Sequence, residues 1–191
     1  KITFPIHLYG YNTADWTIGE ERQGFAFTDI SSDLAFDPET QAIYGIFSDA
    51  DYSGKYLTLG RLTYTTKDDY PFVIYSCQPI AQMPERMVAL TFNRDGQLYT
   101  ISKTGKLYTV DKYTGKATVV GNTGFSILPF FQSATCDYAT GDIYWAAYSV
   151  VDWATHVLKV NPATANVTEI VNYGFNEDTW QGEQTYDQLS T

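Results

Sequence analysis

Histidine and cysteine are scarce. Only His7 and His156, and only Cys77 and Cys136, occur among the 191 residues. A structural zinc site needs four ligands, and no cysteine or carboxylate stands at ligand spacing from either histidine, so such a site is not expected. Two cysteines are too few for a disulfide scaffold. Cys136 reads as a small buried hydrophobe on a strand, with a Cys77–Cys136 disulfide as the minor alternative. Basic residues are also short: 12 Lys and Arg against 22 Asp and Glu leave a net charge of −10. That field repels a phosphate backbone and an anionic membrane surface, so nucleic acid is not an expected partner. The plain reading of the charge is solubility. No apolar run approaches the ~20 residues that span a bilayer, so membrane insertion is not expected. Lys1 is not a natural start, and the expectation is an exported protein whose leader is already gone. There is no Gly-x-Ser-x-Gly elbow and no Cys–His pair at a telling spacing. Acidic residues such as Glu177, Asp178 and Glu183 are too common in this chain for their pairing to signal a glycosidase. No long helical pattern occurs, and Met83–Met87 makes at most one turn.

What is abundant is aromatic and repeated. Aromatics make up 16% of the chain, with 16 Tyr and 11 Phe, and hydrophobic residues make up 44%. Such a chain folds. Three segments align: Leu34–Ile46, Leu90–Ile101 and Ala134–Ala146. Each reads as a strand with period-2 alternation, a polar turn, then a second strand. Asp37, Asn93 and Asp137 fall at one place, where a short side chain bonds the turn backbone. A second hairpin, Lys106–Val120, matches His156–Ile170 at an offset of 50. Gly24-Phe25, Gly124-Phe125 and Gly174-Phe175 give a third landmark, each glycine 12 residues before Phe36, Cys136 and Tyr186. Ile80 takes the missing slot before Phe92.

Four strands in meander order, repeating every 40 to 50 residues, predict an all-β fold, a β-propeller of four-stranded antiparallel blades. A lone blade cannot bury both faces, so blades stack around an axis. A β-sandwich with accidental self-similarity is the alternative. The expected blades are 24–79, 80–123 and 124–173, with partial blades at both ends. Residues 174–191 and 1–23 either share one blade that closes a four-bladed ring, or the chain is part of a larger propeller. In the second case it is either a fragment or a half-ring paired with a second copy into an eight-bladed homodimer.

The segment Gly105-Lys-Leu-Tyr-Thr-Val-Asp-Lys-Tyr-Thr-Gly-Lys-Ala-Thr-Val-Val-Gly121 resembles the hairpins of YVTN-, NHL- and quinoprotein-like bacterial propellers. Similar repeats occur in secreted or surface lipoproteins of bacteria. The resemblance implies a propeller fold and an exported location: periplasmic, cell-surface or extracellular. It implies little about activity. The chain departs from quinoprotein dehydrogenases, because a regular docking Trp and an adjacent-Cys motif are missing. Kelch double-glycine and WD-dipeptide signatures are missing too.

Two sets of candidate site residues remain. Asp49, Asp51 and Ser53, with Gly54, open like a calcium loop. Loop positions 9 and 12 fall on Leu57 and Gly60, which cannot ligate, so an exposed hairpin loop is the better reading and Ca2+ a weak one. No other cofactor is expected. The second set is aromatic: Trp145, Tyr148, Trp153 and Trp180 crowd the last third with Tyr173 and Phe175. Exposed Trp and Tyr stack on sugars or anchor protein partners. Tyr44, Tyr99 and Tyr144 sit at equivalent positions and read as filler between blades. Asn166-Val167-Thr168 is a formal glycosylation sequon, idle in a bacterial protein. The expected function is a non-enzymatic, exported propeller that binds a protein or carbohydrate on one face of the ring. The alternatives are a hydrolase or lyase whose site is completed by blades outside this chain, and a structural spacer.

Overall fold

The structure, a computed structural model, describes residues 25–27, 31–47, 57–66, 73–129 and 132–174. Those residues form strands and turns without a helix. The first sheet is a meander of β2 (Ser31–Asp37), β3 (Ala42–Phe47), β4 (Thr58–Thr66) and β5 (Val73–Gln82). A short strand, β1 (Phe25–Phe27), adds parallel to β5, with Phe25 opposite Val73. The second sheet is β6 (Met87–Phe92), β7 (Leu98–Ser102), β8 (Lys106–Val110) and β9 (Ala117–Asn122). The third is β10 (Ser133–Cys136), β11 (Ile143–Tyr148), β12 (Thr155–Val160) and β13 (Val167–Asn172). Each sheet is antiparallel in these four strands. β6 packs against both β2 and β10, so the first strands of all three sheets meet at a common centre. Burial follows from that arrangement. Every residue of β6 is buried, whereas the outer strand β13 is almost wholly exposed.

The repeat is visible rung by rung. Phe36 pairs with Ile43, Phe92 with Leu98 and Cys136 with Ile143, each closing its first hairpin. One rung further, Tyr44 opposes Ala35, Tyr99 opposes Thr91 and Tyr144 opposes Thr135. The turn residues behave as their chemistry requires. Asp37, Asn93, Asp111, Asp137 and Asn161 each accept a hydrogen bond from the backbone N–H two residues on, at 2.8–3.1 Å. These bonds are local to each turn and need no tertiary contact. Cys77 and Cys136 are not joined in a disulfide, and Cys136 is buried on its strand.

The expected boundary at 79/80 falls inside β5, which runs on to Gln82. Among the described residues β1 covers only the other end of β5, opposite Val73–Tyr75. The missing N–H of Pro79 therefore costs no ladder bond on that side.

Two apolar seams join the blades. In the first, Tyr44 packs edge-on to Phe92, with ring centroids 5.3 Å apart, among Ile46, Leu59, Leu90 and Leu98. In the second, Ile101 and Leu107 meet Trp145, Ile143 and Leu158. Each large side chain so buried contributes ~1.5–3 kcal/mol. Nearer the rim, small residues set the approach of the blades. Gly115, at φ 71°, sits on Ala81 of the first sheet: a Cβ there would lie 2.2 Å from the alanine Cβ. In the second seam the roles reverse. Ala165, at φ 64°, sits on Gly121, where an added Cβ would meet the Thr164 carbonyl oxygen at 2.7 Å. Each seam holds one methyl group, contributed from opposite sides.

Seam one has a further clip. Lys112 of the β8–β9 turn reaches across to Asp37 (2.7 Å) and Glu39 (2.6 Å). Its ammonium also lies 5.6 Å from the Phe92 ring centroid. At the centre, the buried carboxyl of Asp33 on β2 accepts bonds from Leu34 N–H (3.0 Å), Leu90 N–H (2.9 Å) and Ser133 Oγ (3.3 Å). One side chain thereby ties the first strands of three blades.

Candidate binding surface on the third blade

The β11–β12 loop, residues 149–154, is held more tightly than its exposure suggests. Ser149 N–H donates to the Ala154 carbonyl at 2.9 Å and closes the loop. Ser149 Oγ accepts from the Val151 and Asp152 N–H groups at 3.1 and 3.4 Å. Val150 N–H donates to the Ser126 carbonyl at 3.1 Å, and Ile127 bridges to Ser149, so the loop is also sewn to the inter-blade segment.

Its tip is anchored by a buried imidazole between two carboxylates. His156 on β12 is buried, with Nε2 3.0–3.1 Å from both Asp152 carboxylate oxygens and Nδ1 2.7 Å from Glu169. A ring nitrogen that carries a proton donates it to the carboxylate it faces. Phe125 packs edge-on to the imidazole at 5.0 Å. Asn172 Nδ2 donates to Asp152 at 3.1 Å. Burial pushes the Asp152 carboxyl up, but bonds from Ser149, His156 and Asn172 outweigh it and hold the group at about 2. In the second blade the position matching His156 is Lys106, which pairs with Glu85 at 3.4 Å. Glu85 also takes the Tyr108 hydroxyl at 2.6 Å.

Locked in this way, the loop presents Trp153 to solvent, 52% exposed and with φ at 56°. A bulky side chain in the left-handed region is strained by roughly 1–3 kcal/mol. Val151 and Tyr173 are exposed beside it, Tyr173 placed at the same end of the blade by its N–H bond to the Thr155 carbonyl (3.0 Å). The result is a rigid apolar tip with a polar base.

The sequence-stated candidates divide accordingly. Trp153 lies on this surface. Tyr148 is half-buried at the end of β11, where its carbonyl accepts Leu128 N–H at 2.9 Å. Trp145 is fully buried in the second seam, edge-on to Phe125 at 5.7 Å, so its ring offers no face to a ligand. The period-2 alternation of β11, which buries Ile143, Trp145 and Ala147, is the reason. Trp180, and the calcium-loop residues Asp49, Asp51 and Ser53, lie outside the described residues. Among the described residues no group of three or more His, Cys, Asp or Glu side chains is placed to hold a metal ion.

The sequence reading gave His156 no carboxylate at ligand spacing, and the structure places two against its ring. Strand pairing brings Glu169 to it from 13 residues away, and the loop brings Asp152. Asp33 was also missed. Its signal was a carboxylate where the aligned repeats carry Ala89 and Ser133. An open cavity of about 390 Å³ at the opposite end of the second blade is lined by Gln97, Asp111, Lys112, Tyr113 and Lys116. Its inward cation, Lys112, is already committed to Asp37 and Glu39.

No protein-family model matches this chain, and no curated protein does. Solved structures do. The structure of a nidogen/laminin complex matches with a TM-score of 0.57 at 13% identity, over 89% of this chain and 59% of that one. A protein of unknown function from Bacteroides thetaiotaomicron matches with a TM-score of 0.50 at 13% identity, over 71% of this chain and 32% of that one. The fold is a β-propeller. The propeller domain of Cps50 from Myceliophteria thermophila also aligns, but at a TM-score of 0.38 it adds no argument. The chain spans about three-fifths of the nidogen/laminin chain it matches and about a third of the Bacteroides one. At these identities the likeness shows the fold alone.

Proposed function

We propose that this propeller is an exported, non-enzymatic binding protein that takes a protein ligand on the end of the blades where residues 149–154 stand. The observation that carries this reading is Trp153, exposed at a strained φ on a loop fixed by Ser149, Asp152 and His156. Strain persists where surrounding structure over-determines it, and binding sites are where it collects. Trp is also the residue most enriched among interface anchors. The nidogen/laminin neighbour was solved as a protein complex, which supports a protein as the ligand class. The exported location rests on the hairpin resemblance.

Parallel arrays of extracellular proteins and of glycans test this. The expected result is a protein hit for which Trp153→Ala weakens binding at least ~30-fold, the hot-spot range. Trp153→Gly should bind as poorly and yet unfold at equal or higher urea, because glycine relieves the strain. Sugar binding lost in the same variants would replace the protein ligand with a carbohydrate. Binding that survives both substitutions would refute the site.

A further inference from the structure

The inner strands β2, β6 and β10 each stand last in their sheet among the described residues. An edge strand turns every second N–H away from its ladder, and a buried N–H without an acceptor costs as much as a lost hydrogen bond. Where the inner strands meet, some of these groups answer one another: Gln132 N–H donates to the Val88 carbonyl at 3.1 Å. At the next level a side chain does it.

Asp33, Ala89 and Ser133 stand on one rung of the repeat, opposite Ile46, Ile101 and Ala146 of the second strands. The residues that follow them are Leu34, Leu90 and Ala134. All three of those N–H groups donate to the Asp33 carboxyl, the first two at 3.0 and 2.9 Å. The Ser133 hydroxyl is a fourth donor at 3.3 Å. Asp33 is 3% exposed, so bulk solvent is shut out. The backbone donors are thus equivalent groups of three blades, whereas the acceptor is a side chain that one blade carries. Ala89 offers a methyl group at its place and Ser133 a hydroxyl.

We infer that the backbone of the three blades forms a socket for a single carboxyl group where their inner strands meet, and that Asp33 is its occupant. Two properties follow. The carboxyl can be supplied from another blade, and Ser133 is the place for it, because its hydroxyl already points into the socket. A free carboxylate as small as formate takes the place of the Asp33 side chain when that side chain is removed. Neither property depends on Trp153 or on the ligand proposed above.

Urea unfolding at about pH 5, followed by fluorescence, tests both. Asp33→Ser should unfold at lower urea than the wild type. Adding Ser133→Asp, which exchanges the two side chains, should recover at least ~10-fold in the folding constant. Ser133→Asp alone should lose stability, because two carboxyls then compete for one socket. Asp33→Gly keeps the socket and removes its occupant. Formate should raise the urea midpoint of that variant as the logarithm of its concentration, or fold the variant outright if it is unfolded alone. Chloride at the same concentration is the reference. On the wild type, whose socket is full, formate and chloride should act alike. An exchange no more stable than Asp33→Ser, or formate that moves Asp33→Gly no further than the wild type, overturns the socket.

Discussion

Replacing Asp33 with Asn should flatten the pH dependence of stability between about pH 4 and pH 8. The carboxyl is buried where the first strands of three blades meet, and its partners are the N–H groups of Leu34, Leu90 and Ala134 and the Ser133 hydroxyl. Burial pushes its pKa up to about 8, against the opposing pull of those donors. In the unfolded chain the group titrates near ~3.9. Between the two values the folded state holds one more proton, so stability is full below pH 4 and declines as pH rises through 8. The slope is ~1.4 kcal/mol per pH unit for one proton. Asn does not titrate and carries no slope. It does point an N–H at a donor, which offsets its stability by a constant. The measurement is urea unfolding followed by Trp and Tyr fluorescence, from pH 5 to pH 7.5. The wild type minus the variant should lose ~1.4 kcal/mol with each unit of rising pH. Parallel curves would refute the reasoning. They would mean that the N–H donors win over burial and that the carboxyl is ionised in the fold, where its pH dependence lies below pH 4.

The seams give two further expectations. Gly115→Ala should destabilise by ~1–3 kcal/mol, through a clash with Ala81 and a positive φ, and adding Ala81→Gly should recover most of the clash because the second seam already uses that pairing; a double-mutant cycle in urea measures the coupling, and simple additivity would refute it. Lys112→Met should cost ~3–5 kcal/mol near neutral pH by stranding the buried Asp37 carboxylate. Burial acts against that carboxylate, but Lys112, the Thr40 hydroxyl and the Glu39 N–H together outweigh it and lower its pKa, so its stabilisation is present above about pH 4 and lost below it. The deficit of the variant should therefore shrink as the medium is made more acid than that, and a deficit independent of pH would count against the ion pair.

Much of the fold was legible because it is local. An Asp or Asn bonds the N–H two residues on whatever surrounds it, so Asp37, Asn93 and Asp137 could mark turns from sequence alone. Rungs such as Phe36–Ile43 and Phe92–Leu98 follow once the turns are placed. Seam chemistry is not local. Nothing in the residues Gly115 and Ala81 says that they touch, and only the offset of 50 hints that Gly115 and Ala165 share a role. The exposure of Phe36 depends on whether another blade arrives, which its own rung cannot state.

The candidate surface shows the same division between local and assembled. An aromatic residue looks alike in sequence whether it fills a seam or faces water, so Trp145 and Trp153 were equal candidates. Alternation on β11 decides the first, since Trp145 shares its buried parity with Ile143 and Ala147. The second is decided by His156, which is 13 residues from one of its carboxylates and four from the other. That buried ring adds a side-chain anchor at Asp152 to the backbone bonds of Ser149 and Val150 that close the loop. With it, the polar residues of the loop fix where the apolar ones point. The site is therefore written less in its aromatic excess than in the Ser149–Asp152–His156–Glu169 chain beneath it. That chain also explains how a buried residue helps to fix where a surface loop stands.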